Sequence, residues 1–220
     1  MSAIVLEESI RVPGKAATLD AFRRWARSPA FPTRGHYSFL GNEVWVDMSP
    51  EQLYTHNGVK GVVASVLTLL LKELRLGRFF HDRALVTNVE ASLSTEPDGT
   101  FVTFDSFRSK RVRRVRGAEG YIELVGSPDM TLEVVSASSV QKDTVVLRQR
   151  YWMAGVREYW LIDARKVKPS FEILRHTKRG YVECRRQGGW VESPVFGKSF
   201  QLTVKPDELG DPEYLLRVKR

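Results

Sequence analysis

The chain has 220 residues, 42% hydrophobic and 27% charged, the composition of an ordinary soluble domain long enough to bury a core without staples. Lysine and arginine number 34 against 26 aspartates and glutamates, and the net charge of +8 favours an anionic partner such as a phosphate backbone, or else serves only solubility. The single cysteine, Cys184, excludes an intramolecular disulfide and a cysteine metal cluster, and suits a reducing, cytoplasmic compartment.

The first residues, MSAIVLEESIRVPGK, lack the basic start and sustained apolar core of a signal peptide. Residues 18–28 read as a short amphipathic helix with Leu19, Phe22 and Trp25 at helical spacing, ended by Pro29 and Pro32. Residues 36–48 predict two short strands around a turn at Gly41-Asn42. A helix start follows: Ser49 can cap it, Pro50 fits the first turn, and Gln52 completes a capping box. This helix is expected to run to about Leu76, with Gly77 as its C-cap. Its stripe of Val59, Val62, Val63, Val66, Leu67, Leu70, Leu71 and Leu74 marks it as the central core helix. Ser65 and Thr68 interrupt the stretch, which is too short to span a bilayer.

Residues 79–102 turn to strand patterning, with a turn at Glu96-Pro97-Asp98-Gly99. Next come Arg108, Lys110, Arg111, Arg113, Arg114 and Arg116 with few apolar neighbours, an expected exposed loop or protruding hairpin. Residues 129–136 predict a buried strand, residues 140–154 a helix with Gly155 as its C-cap, and residues 157–163 another buried strand. The remainder reads as a β-meander with turns at Arg179-Gly180 and Gly188-Gly189. The polar tail from Pro206 is expected to pack loosely. With no repeat and no linker, the chain is one α+β domain over residues 1–220.

The strand DMTLEVVS carries the clearest chemical signal. Alternate residues of a strand share a face, so Asp129, Thr131, Glu133 and Val135 point one way and Met130, Leu132 and Val134 the other. A carboxylate in such a strand costs free energy unless it is paired or bound to a cation, so Glu133 is either a ligand or an arginine's partner. Asp98 alone would read as turn chemistry. Together, two carboxylates from adjacent strands can hold Mg²⁺ or Mn²⁺ through hard oxygen ligands, while a nearby lysine or arginine offsets charge on a phosphate. His56 could assist a proton transfer or contact a phosphate, but a lone histidine is more often structural. His36, His81 and His176 have no zinc-site spacing, and Trp45, Trp152, Trp160 and Trp190 read as packing residues.

The block Pro128-Asp129-Met130-Thr131-Leu132-Glu133-Val134-Val135-Ser136 continues through Asp143, Tyr151, Ala154-Gly155-Val156 and Glu158-Tyr159-Trp160-Leu161-Ile162-Asp163. With Met48-Ser49-Pro50, His56 and Pro97-Asp98, it resembles the Uma-type restriction endonuclease family, a bacterial branch of the PD-(D/E)xK superfamily, over about residues 18–202. The resemblance implies a restriction-endonuclease-like α+β fold: a mixed central sheet flanked by helices, an α/β core, with a C-terminal β-meander. It also implies that Asp98 and Glu133, with the main-chain carbonyl of Val134, are the metal ligands, that Mg²⁺ or Mn²⁺ is the cofactor, and that DNA is the partner.

The sequence departs from the family pattern. Val135 stands where the superfamily lysine would be, and Leu147 stands where this family usually supplies it. Lys142, Arg148 and Arg150 are the nearby cations, of which Lys142 and Arg148 are the candidates for its role. Ser38 and Gly41 replace the acidic residues usual in the first hairpin, with Glu43 close by in another register. The basic segment from Arg108 to Arg116 is the candidate contact to backbone phosphates. The leading expectation is a metal-dependent endonuclease. The alternatives are a degenerate nucleic-acid binder with the same fold and a protein-interaction domain. Nucleases of this superfamily often dimerise, so a homodimer stays open.

Overall fold

A short helix, α1 (Leu19–Ala26), follows a 3-10 turn at Gly14–Ala17, its first turn capped by the Thr18 hydroxyl accepting from the Ala21 amide and its Phe22 and Trp25 buried. The structure is a computed structural model describing residues 14–219; residues 1–13, most of the stretch read above as lacking a signal peptide's features, and Arg220 lie outside the described residues. Gly41 and Asn42, at φ 62° and 75°, close the hairpin of β1 (His36–Leu40) and β2 (Glu43–Asp47), as a two-residue turn between twisted strands requires.

The long helix starts and ends differently from the sequence expectation. The Ser49 amide is held by the Asp47 carboxylate at 2.8 Å, a local turn that competes with helix initiation. Gln52 takes the cap instead, its side-chain oxygen accepting from the Thr55 amide. A widened π-helical turn, Leu53–Gly58, then leads into α2 (Val59–Leu74). Arg75, at φ 51°, ends it. Gly77 belongs to β3 (Gly77–His81), where a Cβ would run into the Val102 carbonyl oxygen, so this glycine serves close strand approach rather than a helix end.

The chain continues through β4 (Leu85–Asn88), β5 (Leu93–Thr95), β6 (Gly99–Thr103), α3 (Phe104–Arg108), β7 (Val112–Arg116), β8 (Tyr121–Gly126) and β9 (Met130–Val134). A second widened turn, Lys142–Leu147, runs into α4 (Arg148–Met153). Then follow β10 (Glu158–Asp163), β11 (Ser170–Thr177), β12 (Gly180–Glu183), β13 (Arg186–Gln187), β14 (Trp190–Ser193), β15 (Lys198–Pro206) and β16 (Pro212–Lys219).

Three sheets result. The first runs β2-β1-β5-β4-β8-β7, the second β12-β11-β10-β9-β6-β3, and the third β13-β14-β15-β16. The first two are mixed, because β4 pairs parallel to β8 and β9 parallel to β10. Residues 96–98 do not turn a hairpin: they cross from β5 in the first sheet to β6 in the second, which delivers Asp98 beside β9. The expected alternation along β9 holds. Met130, Leu132 and Val134 pack with Val59, Val63 and Leu67 of α2, while Val135 joins Leu147, Tyr151 and Tyr159 on the other side. The tail is not loose: β16 pairs along β15 from Pro212 to Lys219 and buries Tyr214 and Leu216. Among the described residues, no helix is long and apolar enough to cross a membrane.

Candidate active site

Three carboxylates on or beside β9 differ in how they are satisfied. Asp129 is fully buried, and it accepts from the Thr103 amide at 2.7 Å and the Ser106 hydroxyl at 3.0 Å, with Arg157 at 2.9 Å. It is a structural pin. Glu133 is also buried, but its one hydrogen bond among the described residues comes from the Tyr151 hydroxyl to Oε1 at 2.6 Å. Burial pushes its carboxyl well above the usual range, Asp143 and Asp98 add to that, and only Lys142 pulls strongly against it. Asp98 reaches the same place from β6: its Oδ2 accepts from the Val134 amide at 2.7 Å, one residue after Glu133.

Lys142 sits opposite these acids, its Nζ 3.4 Å from Asp143 Oδ1. Burial opposes its charge, but Asp143, Glu133 and Asp98 outweigh that and hold the ammonium above its ordinary value. Asp143 is itself buried, and burial pushes it up to about 6. The Ser139 hydroxyl donates to its Oδ2, while its Oδ1 has no hydrogen bond, only the nearby ammonium. A second cluster supports Asp98 from α2. Lys60 Nζ and His56 Nε2 each lie 3.6 Å from its oxygens, and His56 Nδ1 is 2.9 Å from Glu51. Lys60 and His56 together draw Glu51 down to about 2, against the pull of burial.

Asp98, Glu133, Lys142, Asp143, Ser139, His56 and Glu51 line one cleft of about 630 Å³. Asp47, Glu51, Glu96, Asp98, Glu133 and Asp143 face it, against Lys142 and Arg165 among the lysines and arginines. Both widened helical turns open on it: the first supplies Thr55 and His56, the second Lys142 and Asp143. Such turns rotate side chains off the regular helical register and recur at functional sites.

The cleft therefore gathers Asp98, Glu133, Val134, Lys142 and His56 from the sequence candidates. Arg148 is half-buried at the start of α4 and does not line it. Val135 and Leu147, the two positions where a lysine was looked for, are packed in the apolar cluster around Tyr151. Ser38 bonds Thr95 inside the first sheet at 2.7 Å. The basic segment is placed elsewhere: β7 is one outer strand of the first sheet, whereas Asp47 reaches the cleft from β2, the other outer strand. Arg111 is corrected from a phosphate contact to a structural residue, because its guanidinium donates to the Ser127 and Gly155 carbonyls. Arg108 pairs with Asp105, Arg114 lies 4.4 Å over the Tyr121 ring, and Lys110, Arg113 and Arg116 are exposed.

Sequence reasoning missed Glu51, Lys60, Glu96, His36 and Arg165. Lys60 had a weak signal, lying four residues after His56 and hence near it on the helix surface. The others come from segments without periodicity.

The donor set fits a hard divalent cation. Asp98 and Glu133 bring oxygens from neighbouring strands, and a buried acid with one oxygen lacking a hydrogen bond is stabilised as a carboxylate only by a cation. Among the described residues no group of three or more histidine, cysteine, aspartate or glutamate side chains is arranged to hold a metal. The remaining ligands would be main-chain, water or phosphate oxygens, which Mg²⁺ accepts readily.

The sequence model of the Uma2 family, described as "Putative restriction endonuclease", matches residues 19–205. Among solved structures, the crystal structure of a "putative nuclease belonging to DUF820" from Anabaena variabilis ATCC 29413 aligns with a TM-score of 0.59 at 21% identity. The alignment covers 82% of this chain and 90% of that one. At that identity the likeness establishes the fold, a mixed α+β architecture of the restriction-endonuclease type. No curated protein matches the chain.

Proposed function

The chain belongs to the Uma2 family, and from that premise we propose that it is a metal-dependent nuclease cutting DNA phosphodiesters at Asp98, Glu133 and Lys142. The observation that carries this reading is the position of Lys142. Both family positions for lysine are apolar here, yet an ammonium still stands in the cleft with the two carboxylates.

Asp98, Glu133 and the Val134 carbonyl are the groups to hold Mg²⁺ or Mn²⁺, which when bound polarises the phosphodiester and lowers the pKa of a water. The other roles belong to this chain's own residues. Lys142 offsets negative charge developing on the phosphate oxygens. Asp143 and Ser139 hold that lysine's end of the cleft. The Tyr151 hydroxyl fixes Glu133 through Oε1 and leaves its second oxygen without a hydrogen bond among the described residues. His56, oriented by Glu51, and Lys60 steady Asp98.

A second reading has a specific observation behind it. Val135 and Leu147 are fully packed, so the usual lysine positions cannot contribute, and a binder that has lost the chemistry is the alternative. Incubating plasmid and single-stranded DNA with Mg²⁺ or Mn²⁺, using wild type and Glu133→Ala, decides between them. Cation-dependent cutting lost in the variant supports the nuclease. Salt-sensitive DNA binding by a folded wild type that never cuts favours the binder, and neither cutting nor binding sinks both readings.

A further inference from the structure

A second groove of about 510 Å³ is lined by the Asp82-Arg83 corner, β3 and residues of β7 and β8. Its most exposed side is aromatic and cationic. Tyr121 is 58% exposed and the adjacent Ile122 43%. The Arg114 guanidinium covers one part of this surface, 4.4 Å from the Tyr121 ring centre and 5.4 Å from that of Phe107. Arg113 and Arg116 of the same strand are exposed, and a register irregularity interrupts the β7–β8 pairing between Val115 and Arg116.

Both acids that line the groove have a basic neighbour. Glu123 is buried under Arg23 and Arg27, at 2.7 Å and 3.4 Å, and Asp82 lies 3.5 Å from Lys60. Exposed Glu119, in the turn between β7 and β8, is the acid left on that hairpin.

The Asp82-Arg83 corner is conformationally unusual. Asp82 and Arg83 are consecutive non-glycine residues at φ 54° and 52°. Such backbone persists only where surrounding contacts over-determine it, and it clusters at functional sites. Here the Asp82 amide donates to the Asp98 carbonyl at 3.0 Å. The Arg83 guanidinium donates to the carbonyls of Thr33 and Gly35 at 3.1 Å and 2.7 Å and lies 3.8 Å from Glu96, a cleft residue. These contacts engage the Arg83 guanidinium in holding the corner itself, at the boundary between the two depressions.

We propose that this groove is the approach track for a single strand of nucleic acid, whose unpaired base stacks at Tyr121 and Arg114 while its backbone passes Arg83 toward the cleft. The proposal rests on the nuclease reading for the identity of the substrate, but its binding test stands independently. A duplex keeps its base faces stacked inside the helix, so an exposed ring beside a guanidinium plane recognises unpaired bases. Arg113 and Arg116 supply the sequence-independent phosphate attraction.

The test uses fluorescence anisotropy with a short labelled single strand and the matching duplex, both in EDTA so that nothing is cut. Wild type should bind the single strand more tightly than the duplex. Tyr121→Ala should weaken single-strand binding about ten-fold, with little change for the duplex, and Tyr121→Phe should restore it. Arg113→Ala with Arg116→Ala should lower the slope of log affinity against log salt by about 0.7 per residue. In cutting assays with Mg²⁺, Tyr121→Ala should raise KM for a single strand and leave kcat unchanged.

Unchanged single-strand binding by a folded Tyr121→Ala, or equal losses for both forms of DNA, would overturn the track whatever Glu133→Ala does to cutting. Tyr121-dependent binding by a wild type that never cuts would keep the track and remove the nuclease.

Discussion

The protein carries opposite charge in two places that a net charge of +8 would not separate. At the cleft, six carboxylates (Asp47, Glu51, Glu96, Asp98, Glu133 and Asp143) face Lys142 and Arg165. At the far edge of the first sheet, β7 and its flanks present arginines to solvent. An acidic cleft repels a polyanion until a cation fills it, whereas a basic edge attracts the same polyanion at any time. The lesson is that a charge run marks where a partner is attracted, and buried charge held against its desolvation cost marks where chemistry is done. Even within the basic edge the count misleads. Arg111 is engaged by two carbonyls and Arg108 by Asp105, which leaves Lys110, Arg113, Arg114 and Arg116 without a carboxylate or carbonyl partner among the described residues.

The contrast breaks most sharply at Glu133. Glu133→Gln should lower cation-dependent cutting by about 100-fold or more, since it removes a charged ligand while keeping an acceptor for Tyr151. Cutting at wild-type rate would place the chemistry elsewhere. Next in size is Lys142→Ala, expected to cost about 10- to 100-fold in kcat, while Arg148→Ala stays within about two-fold because that side chain does not line the cleft. Equal losses in single-turnover assays would reverse these roles.

A third effect separates the two regions by pH. Burial raises Asp143 to about 6 and Glu96 to about 7. Each therefore stabilises the fold in its protonated form below its unfolded pKa, and that contribution is lost as pH rises through the folded value. The metal-free protein should lose thermal stability between about pH 4 and pH 7, and Mg²⁺ should restore it at the upper end. His36, held low by burial, works in the opposite direction below its ordinary 6.5. Glu96→Gln should flatten the upper part of the slope and Asp143→Asn the lower part. Melting curves with the same slope in all three proteins would contradict the assignment.

The smallest effects belong to the basic edge. Arg111→Ala should destabilise by about 1–3 kcal/mol, through two carbonyls left without their donor, and Arg113→Ala by less than about 0.5 kcal/mol. Denaturant titration showing the two equal would mean that Arg111 is not a structural residue.

Much of this was legible from sequence because the signals were periodic. The alternation along β9, the Gly41-Asn42 and Gly188-Gly189 turns, and the apolar stripe of α2 each follow from local geometry, and the structure has them. The chemistry of two carboxylates suggested pairing Asp98 with Glu133 and the family resemblance supported it, but the crossing of residues 96–98 between sheets has no sequence signature.

What failed to show had no periodic signal in the sequence. The Asp47 carboxylate displaced Ser49 from its capping role. The C-terminal strand looked polar because its alternate residues face solvent, while Tyr214 and Leu216 complete the main core. The widened turns, which bring His56 and Lys142 to the cleft, change the number of residues per turn without any proline or glycine signal at Lys142–Leu147.

The account stands or falls on whether the acidic cleft binds a divalent cation through Asp98 and Glu133. Calorimetric titration of Mn²⁺ into the DNA-free protein tests this directly. Wild type and Lys142→Ala should both bind the cation, and Asp98→Asn and Glu133→Gln, each folded, should lose it. Binding that survives both substitutions, or a wild type that binds no cation with or without DNA, would contradict the account.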